Sequence, residues 1–374
     1  MNRLLLPIAL ACSACATTNL PPFTSQNAQL EDDERGLWRE AAQQEKRFEG
    51  AGVLYGDPGL DQYLEEISGK LAAAGGFSAF RFRVRVLKSP YLNAFTLPDG
   101  FIYVHAGFLA RMDDEAQLAT LLAHEMSHAI LRHAVREFRD LKNKAAVGAS
   151  LDSLLLGLGS LGAFSSVRGY SRDLESQADE AGFQMVAAAG YDLDECAKLF
   201  AKLEVEIREE NEKEPFFFGT HPALAARVEN FRRLQGGYAN RPRGFDGVEP
   251  FLARTRDLAY EAARLDLQSG RFAAAERNAT KYASMNPGAE RGPFLLGEIA
   301  RQRRDAASVE TALAHYRKAI ELDGAYPQPY RALGLLLMKR GDKPAARQAL
   351  EKYLELSPAA EDRGYVEQDL ETLR

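Results

Sequence analysis

The 374-residue chain carries 53 acidic and 47 basic side chains, a formal net charge of −6, and 46% of its residues are apolar. That mildly acidic balance, with no basic cluster, argues against a nucleic-acid partner. Of the three cysteines, Cys12 and Cys15 fall at the extreme N-terminus, which leaves Cys196 alone and excludes an intramolecular disulfide framework.

The N-terminus reads as an export signal. Met1-Asn2-Arg3 is short and basic, Leu4 to Ala11 is apolar, and Ser13-Ala14-Cys15 follows. A small residue before a cysteine at the end of a short apolar run resembles a bacterial lipoprotein signal, whose cysteine is lipidated and becomes the first residue of the mature chain. Cys15 fits that pattern, with Cys12 as the second choice and an ordinary cleaved signal as the alternative. Residues 1–14 are therefore set aside as leader and 15–28 as a polar tether. About 360 residues remain, enough for two domains.

A charged helix is expected over Leu30 to Phe48 and a second from Asp57 to Ala74, ended by Gly75-Gly76. Phe80, Phe82, Val84 and Val86 then alternate with Arg81, Arg83 and Arg85, the period of two of a half-buried strand. A hairpin follows, with Leu92 to Leu97 and Phe101 to Val104 joined by a Pro98-Asp99-Gly100 turn. Its exposed edge could pair with an extended peptide, or the sheet could simply support the next helix.

That helix spans Asp113 to His133. Asp114 followed by Gln117 forms a capping-box start, and Leu118, Leu121, Leu122, Met126, Ile130 and Leu131 recur at helical spacing, with Val135 beyond. Inside it lies His124-Glu125-Met126-Ser127-His128, an HExxH segment. Histidines four apart stand one turn above each other, so both imidazoles can reach one metal ion. Glu125 lies about 100° around the same turn, placed to take a proton from a bound water without being a ligand.

Two histidines make half a site, because a catalytic zinc usually takes three protein ligands and keeps one position open. His105, His133, His221, His315 and the carboxylates are the candidates. Residues 145–166, with the run Leu154-Leu155-Leu156-Gly157-Leu158, are apolar but short of the roughly 20 residues of a membrane span. Their place suggests a lid or membrane-facing element beside a cleft. Downstream, Ser171-Arg172-Asp173-Leu174-Glu175-Ser176-Gln177-Ala178-Asp179 offers two carboxylates at i and i+4. One could bind metal while the other orients a ligand imidazole, or both could form a solvated acidic face. Cys196 reads as a small core or helix residue.

From Gly236 to Pro250 the composition shifts to Gly, Pro, Arg and Asn, which reads as a linker over 236–250. Beyond it, Gly270, Ala275 and Pro287 are matched at identical spacing by Gly341, Ala346 and Pro358. Leu296-Gly297 and Leu333-Gly334 recur 37 residues apart, a 34-residue period with three extra residues. The pattern resembles tetratricopeptide repeats: three helix pairs beginning near Arg256, Glu290 and Pro327, then a capping helix from Glu361 to Arg374. His315 falls on a repeat helix as a packing or surface residue.

HExxH, then SRxxExxAD, then Thr220-His221-Pro222 with Arg227, resembles the zinc-metalloprotease family of CAAX prenyl proteases and mitochondrial Oma-type proteases. With the repeats it is most similar to the soluble bacterial periplasmic branch, the BepA type. The likeness runs from about Asp57 to Arg227 and includes Asp57-Pro58, Tyr63-Leu64-Glu65-Glu66-Ile67, Asn93-Ala94-Phe95 and Pro98-Asp99-Gly100. The resemblance implies an α+β, mostly helical fold. A gluzincin-like peptidase domain with a small sheet over 29–235 would be followed by an all-α repeat solenoid over 251–374.

It also implies one zinc ion per chain held by His124, His128 and Glu175, with Glu125 as general base. Asp179 would lie beside the ligand histidines and Arg227 near the cleft. His221 would either stabilise the tetrahedral intermediate or swing in as a fourth, inhibitory ligand. The implied activity is peptide-bond hydrolysis on misfolded or unassembled envelope proteins, docked by the repeats, at an outer membrane reached through the Cys15 lipid. The alternative is a chaperone or assembly factor whose proteolysis is held latent.

Overall fold

The computed structural model describes residues 18, 20–23, 29–146, 170–209, 224–303 and 306–374. The leader with Cys12 and Cys15, most of the expected lid, and Thr220-His221-Pro222 lie outside the described residues. Among the described residues the molecule is mostly helical with one small sheet, and no helix is long and apolar enough to cross a membrane.

Helix α1 (Asp32–Gly50) is followed by α2 (Pro58–Ala74), whose start is set by Asp57. The Asp57 carboxylate accepts from the amides of Gly59 and Leu60, each at 3.0 Å, and Pro58 opens the helix. The sheet comprises β1 (Arg83–Leu87), β2 (Ala94–Thr96) and β3 (Phe101–His105) in the order β1-β3-β2. β1 pairs parallel to β3 and β2 antiparallel, with Phe95 opposite Tyr103. The strand expected from Phe80 starts only at Arg83, because its partner begins after the Pro98-Asp99-Gly100 turn. Phe80 and Phe82 instead pack as rings 4.8 Å apart, and Phe80 also meets Phe23 and Trp38. Gly100 sits at φ +84°, and a Cβ there would lie 2.3 Å from the Phe80 ring, so the turn requires glycine.

After α3 (Ala106–Arg111) comes the central helix α4 (Glu115–Ile130), every residue of which is buried. Asp114 caps it by accepting from the Gln117 amide at 2.8 Å. Its buried Glu115 accepts hydroxyl bonds from Tyr63 at 2.8 Å and Tyr191 at 2.7 Å, pinning α2 to the far side of the core. Among the described residues four further helices belong to this half: α5 (His133–Ala146), α6 (Arg172–Ala188), α7 (Asp194–Glu209) and α8 (Leu224–Gly236). Cys196 is fully buried on α7, as expected. The tether is not free where it is described. Leu20 and Phe23 are buried, packing against Leu37, Val135, Trp38 and Phe80, and the Phe23 amide donates to Ile130 O at 2.9 Å. Two apolar side chains in a polar stretch find apolar partners, which composition alone could not show.

The expected linker is tied down as well. Phe245 N donates to Gly190 O at 2.9 Å, Asp192 N to Phe245 O at 3.0 Å and Ala116 N to Asp246 O at 3.0 Å. Three antiparallel helix pairs follow: α9 (Val248–Gln268) with α10 (Phe272–Met285), α11 (Arg291–Arg303) with α12 (Ala306–Leu322), and α13 (Pro327–Arg340) with α14 (Lys343–Leu356). The Leu-Gly pairs mark the crossings. A Cβ on Gly297 would lie 2.6 Å from the Tyr316 ring, and one on Gly334 would lie 2.7 Å from Leu350. Helix α15 (Arg363–Thr372) covers the last pair with Val366, joined by Leu373 at its C-cap.

Candidate metal centre

α4 presents His124 and His128 side by side, with their Nε2 atoms 3.1 Å apart. α6 crosses it closely, because Gly182 lets the backbones meet: a Cβ there would lie 3.0 Å from His124 N. Glu175 and Asp179 fall on the same face of α6 as Gly182, at i, i+4 and i+7. Glu175 Oε2 is consequently 3.4 Å from His124 Nε2, and Oε1 is 3.6 Å from His128 Nε2. One ligand atom from each of the three residues lies within 4.8 Å of the others. A tetrahedral shell with bonds of roughly 2.0–2.1 Å has edges of about 3.3 Å, so the trio fits a zinc-sized ion. The donor set, two imidazoles and a carboxylate, is also that of catalytic zinc sites.

Behind His124, its Nδ1 is 2.9 Å from Asp179 Oδ1, which in turn accepts from Arg227 Nη2 at 2.5 Å. Asn230 Nδ2 donates to the other Asp179 oxygen at 3.2 Å. Arg227 is 1% exposed, packed over the Phe200 ring at 4.1 Å, so it buttresses Asp179 from inside the core. Burial alone would raise the Asp179 pKa, but Arg227 and His124 hold it below the ordinary value. For His124, burial and Arg227 disfavour charge, yet the Asp179 and Glu175 carboxylates outweigh them and raise it to about 9. The carboxylates beside His124 thus favour positive charge on that ring.

Glu125 Oε2 accepts from Thr96 Oγ1 of β2 at 3.0 Å, while its buried Oε1 has no hydrogen-bond partner among the described residues. His133 is not part of the trio; its Nδ1 stands 3.0 Å from His128 Nδ1. Burial, helped by Arg136, lowers its pKa to about 3. The Tyr170 ring stacks on His128 with centroids 4.1 Å apart and planes 17° apart. His105 ends β3 and His315 lies on α12, so neither joins the group.

Thr96, Tyr170 and Asn230 were not singled out by the sequence. Thr96 lies one residue past Asn93-Ala94-Phe95 and Tyr170 one residue before Ser171, so adjacency to quoted motifs was the available signal.

Residues 58–235 match peptidase family M48, and residues 304–341 match a TPR repeat. The repeat match takes in α12 and α13, the second helix of one pair and the first of the next, half a repeat out of phase with the expected starts. The chain is 28% identical over 241 residues to the beta-barrel assembly-enhancing protease of Escherichia coli (strain K12), covering 60% of this chain and 49% of that protein. It is 35% identical over 174 residues to the mitochondrial metalloendopeptidase OMA1 of Bos taurus, covering 42% of this chain and 33% of that protein. The chain thus spans about half the length of the first relative and a third of the second. The match to peptidase family M48 takes in residues 58–235, just under half of the chain, and these hold the HExxH helix and both carboxylates of α6.

Proposed function

We propose that the chain is a zinc-dependent endopeptidase of the bacterial cell envelope, acting in quality control or assembly of envelope and outer-membrane proteins. The observation that carries this is the meeting of Glu175 with the paired imidazoles beside a Glu125 carboxylate that has one oxygen held and the other uncommitted. In this reading His124, His128 and Glu175 hold the ion. When bound, zinc supplies Lewis acidity and brings the pKa of a water molecule toward neutrality.

The protein's own residues do the rest. Thr96 fixes the rotation of Glu125 so that Oε1 can take the proton of the attacking water and pass it to the leaving amine. Asp179, itself held by Arg227 and Asn230, accepts a hydrogen bond from the Nδ1–H of His124 and keeps its Nε2 pointed at the centre. His105 N bonds Asn93 O at 2.9 Å and Leu97 N bonds Phe101 O at 2.8 Å. Strand alternation therefore turns the amides and carbonyls of Ala94 and Thr96 toward the outer edge of β2. An extended substrate pairing there would bring its backbone past Glu125. His221 is assigned the oxyanion, or a capping role at rest.

In the proposed layout 1–14 is the leader and 15–28 joins a Cys15-linked lipid to the peptidase domain over 29–235. The segment 236–250 then leads to client-docking repeats over 251–374. The name of the Escherichia coli relative, a beta-barrel assembly-enhancing protease, supports the envelope assignment. Intact mass of the mature N-terminus tests the lipid, with Cys12 as the competing site. Glu125→Gln should lower cleavage of an unfolded protein by ~10²–10⁴-fold while zinc stays near one per chain. Retained cleavage would remove Glu125 as the base.

One observation favours a second reading, a client-binding assembly factor with latent proteolysis. His124, Glu125, His128 and Glu175 are at most 2% exposed, and Thr96 is 4% exposed, so the centre is covered. Full rescue of client assembly by Glu125→Gln would favour that role, and no rescue would favour proteolysis.

A further inference from the structure

His133 follows His128 by five residues, which on an unbroken helix would place it about 140° around the axis and facing away. The chain prevents this at Arg132, which adopts a left-handed φ of +58° between α4 and α5. A non-glycine residue there needs support. Arg132 Nε donates to Glu34 Oε1 at 2.9 Å, its Nη2 pairs with the second Glu34 oxygen, and Nη1 donates to Pro21 O at 3.3 Å. Its guanidinium also lies 4.8 Å from the centre of the Phe23 ring. The reversal brings His133, the first residue of α5 and fully buried, back onto His128 with the two Nδ1 atoms 3.0 Å apart.

We propose that His133 is a positioning residue: its Nδ1 accepts a hydrogen bond from the Nδ1–H of His128 and so fixes the ring orientation and tautomer that leave Nε2 facing His124 and Glu175. This rests on the reading of the trio as a metal site. The direction of the bond follows from that reading. An imidazole can offer an Nε2 lone pair to a cation only when its proton sits on Nδ1, so the facing Nδ1 of His133 must be the acceptor. Tyr170, stacked on the His128 face, restricts the same ring from a second side.

The two ligand imidazoles are therefore oriented by partners of different charge. His124 faces the Asp179 carboxylate at 2.9 Å, whereas His128 faces a neutral ring. A second carboxylate behind His128 would crowd a fourth negative group into a site that already holds Glu125, Glu175 and Asp179. A ring acceptor orients without adding that charge.

The test uses the full chain with His133→Phe, which keeps a ring but has no acceptor, and His133→Gln, whose amide oxygen can accept. Zinc affinity is read by competition with a chromogenic chelator, the ligand field by the visible spectrum of the cobalt-substituted protein, and packing by metal-free thermal unfolding. His133→Phe should weaken zinc ~10–100-fold and shift the cobalt bands, and His133→Gln should restore most of both. If His133→Phe fails to fold, His133→Leu replaces it. Unchanged affinity and spectrum in the acceptor-free variant would overturn the proposal, as would equal losses in both variants. A parent chain that binds no zinc, or whose affinity ignores Glu175→Ala, would instead overturn the metal reading beneath it.

Discussion

Asp179 shows how much one side chain carries in a water-excluded site. It links His124 to Arg227, and both neighbours are almost fully buried. Asp179→Asn keeps the shape but removes the charge opposite Arg227, and breaking a buried pair in this way costs about 3–5 kcal/mol. Orientation of His124 should suffer too, with zinc affinity falling ~10–100-fold. Calorimetric unfolding and a chelator titration read the two effects separately, and an unchanged titration would argue against the orienting role. His105 carries a pH prediction. Burial lowers its pKa to about 4, so the folded protein binds this proton less readily than the unfolded chain, whose histidines titrate near 6.5. Its contribution to stability is complete above the unfolded value and is lost as pH falls from there through about 4. His105→Gln should therefore flatten the decline in denaturant stability over that window relative to the parent.

Helices decide where those residues meet. HExxH on α4 was legible from spacing, because two residues four apart share a helix face in any fold. That α6 would deliver Glu175 to this face, and not to solvent, was supported in the sequence only by resemblance. The physical reason is Gly182, where the absent side chain lets the α6 backbone approach His124 N. Gly182→Val would force the helices apart where α4 is buried on all sides and cannot yield. Such overpacking should destabilise by about 1–3 kcal/mol. Because Glu175 rides on the displaced helix, zinc affinity should fall although no ligand is changed. Retained affinity, measured by chelator competition, would show that the close approach does not set the ligand geometry.

Across the whole molecule, the first repeat pair is joined to the peptidase half through buried charge. Arg111, 3% exposed at the end of α3, pairs with Glu206 of α7 at 2.9 Å and lies 3.8 Å from Asp266 of α9. Lys281 of α10 donates to Ala110 O at 3.0 Å and also to Met112 O. Burial lowers the pKa of Lys281 to about 8. Arg111→Met should uncouple the halves, so that one calorimetric unfolding transition becomes two; a single transition with an unchanged midpoint would exclude this clasp. The segment between the halves illustrates the limit of composition. Its Gly and Pro content reads as a linker between domains, and a Cβ on Gly244 would lie 2.2 Å from Tyr191 O. That glycine allows close backbone passage and does not mark slack.

What the amino-acid order determined alone was local: helix starts such as Asp57 and Asp114, the paired histidines with Glu125, and the Leu-Gly pairs of the repeats. These follow from side chains a few residues apart, whose relation any helix preserves. Only tertiary packing decided that Thr96 meets Glu125, that Arg227 lies behind Asp179, and that His133 turns back onto His128. Such contacts depend on close backbone crossings and on one left-handed residue held by distant partners, and periodicity carries no record of either.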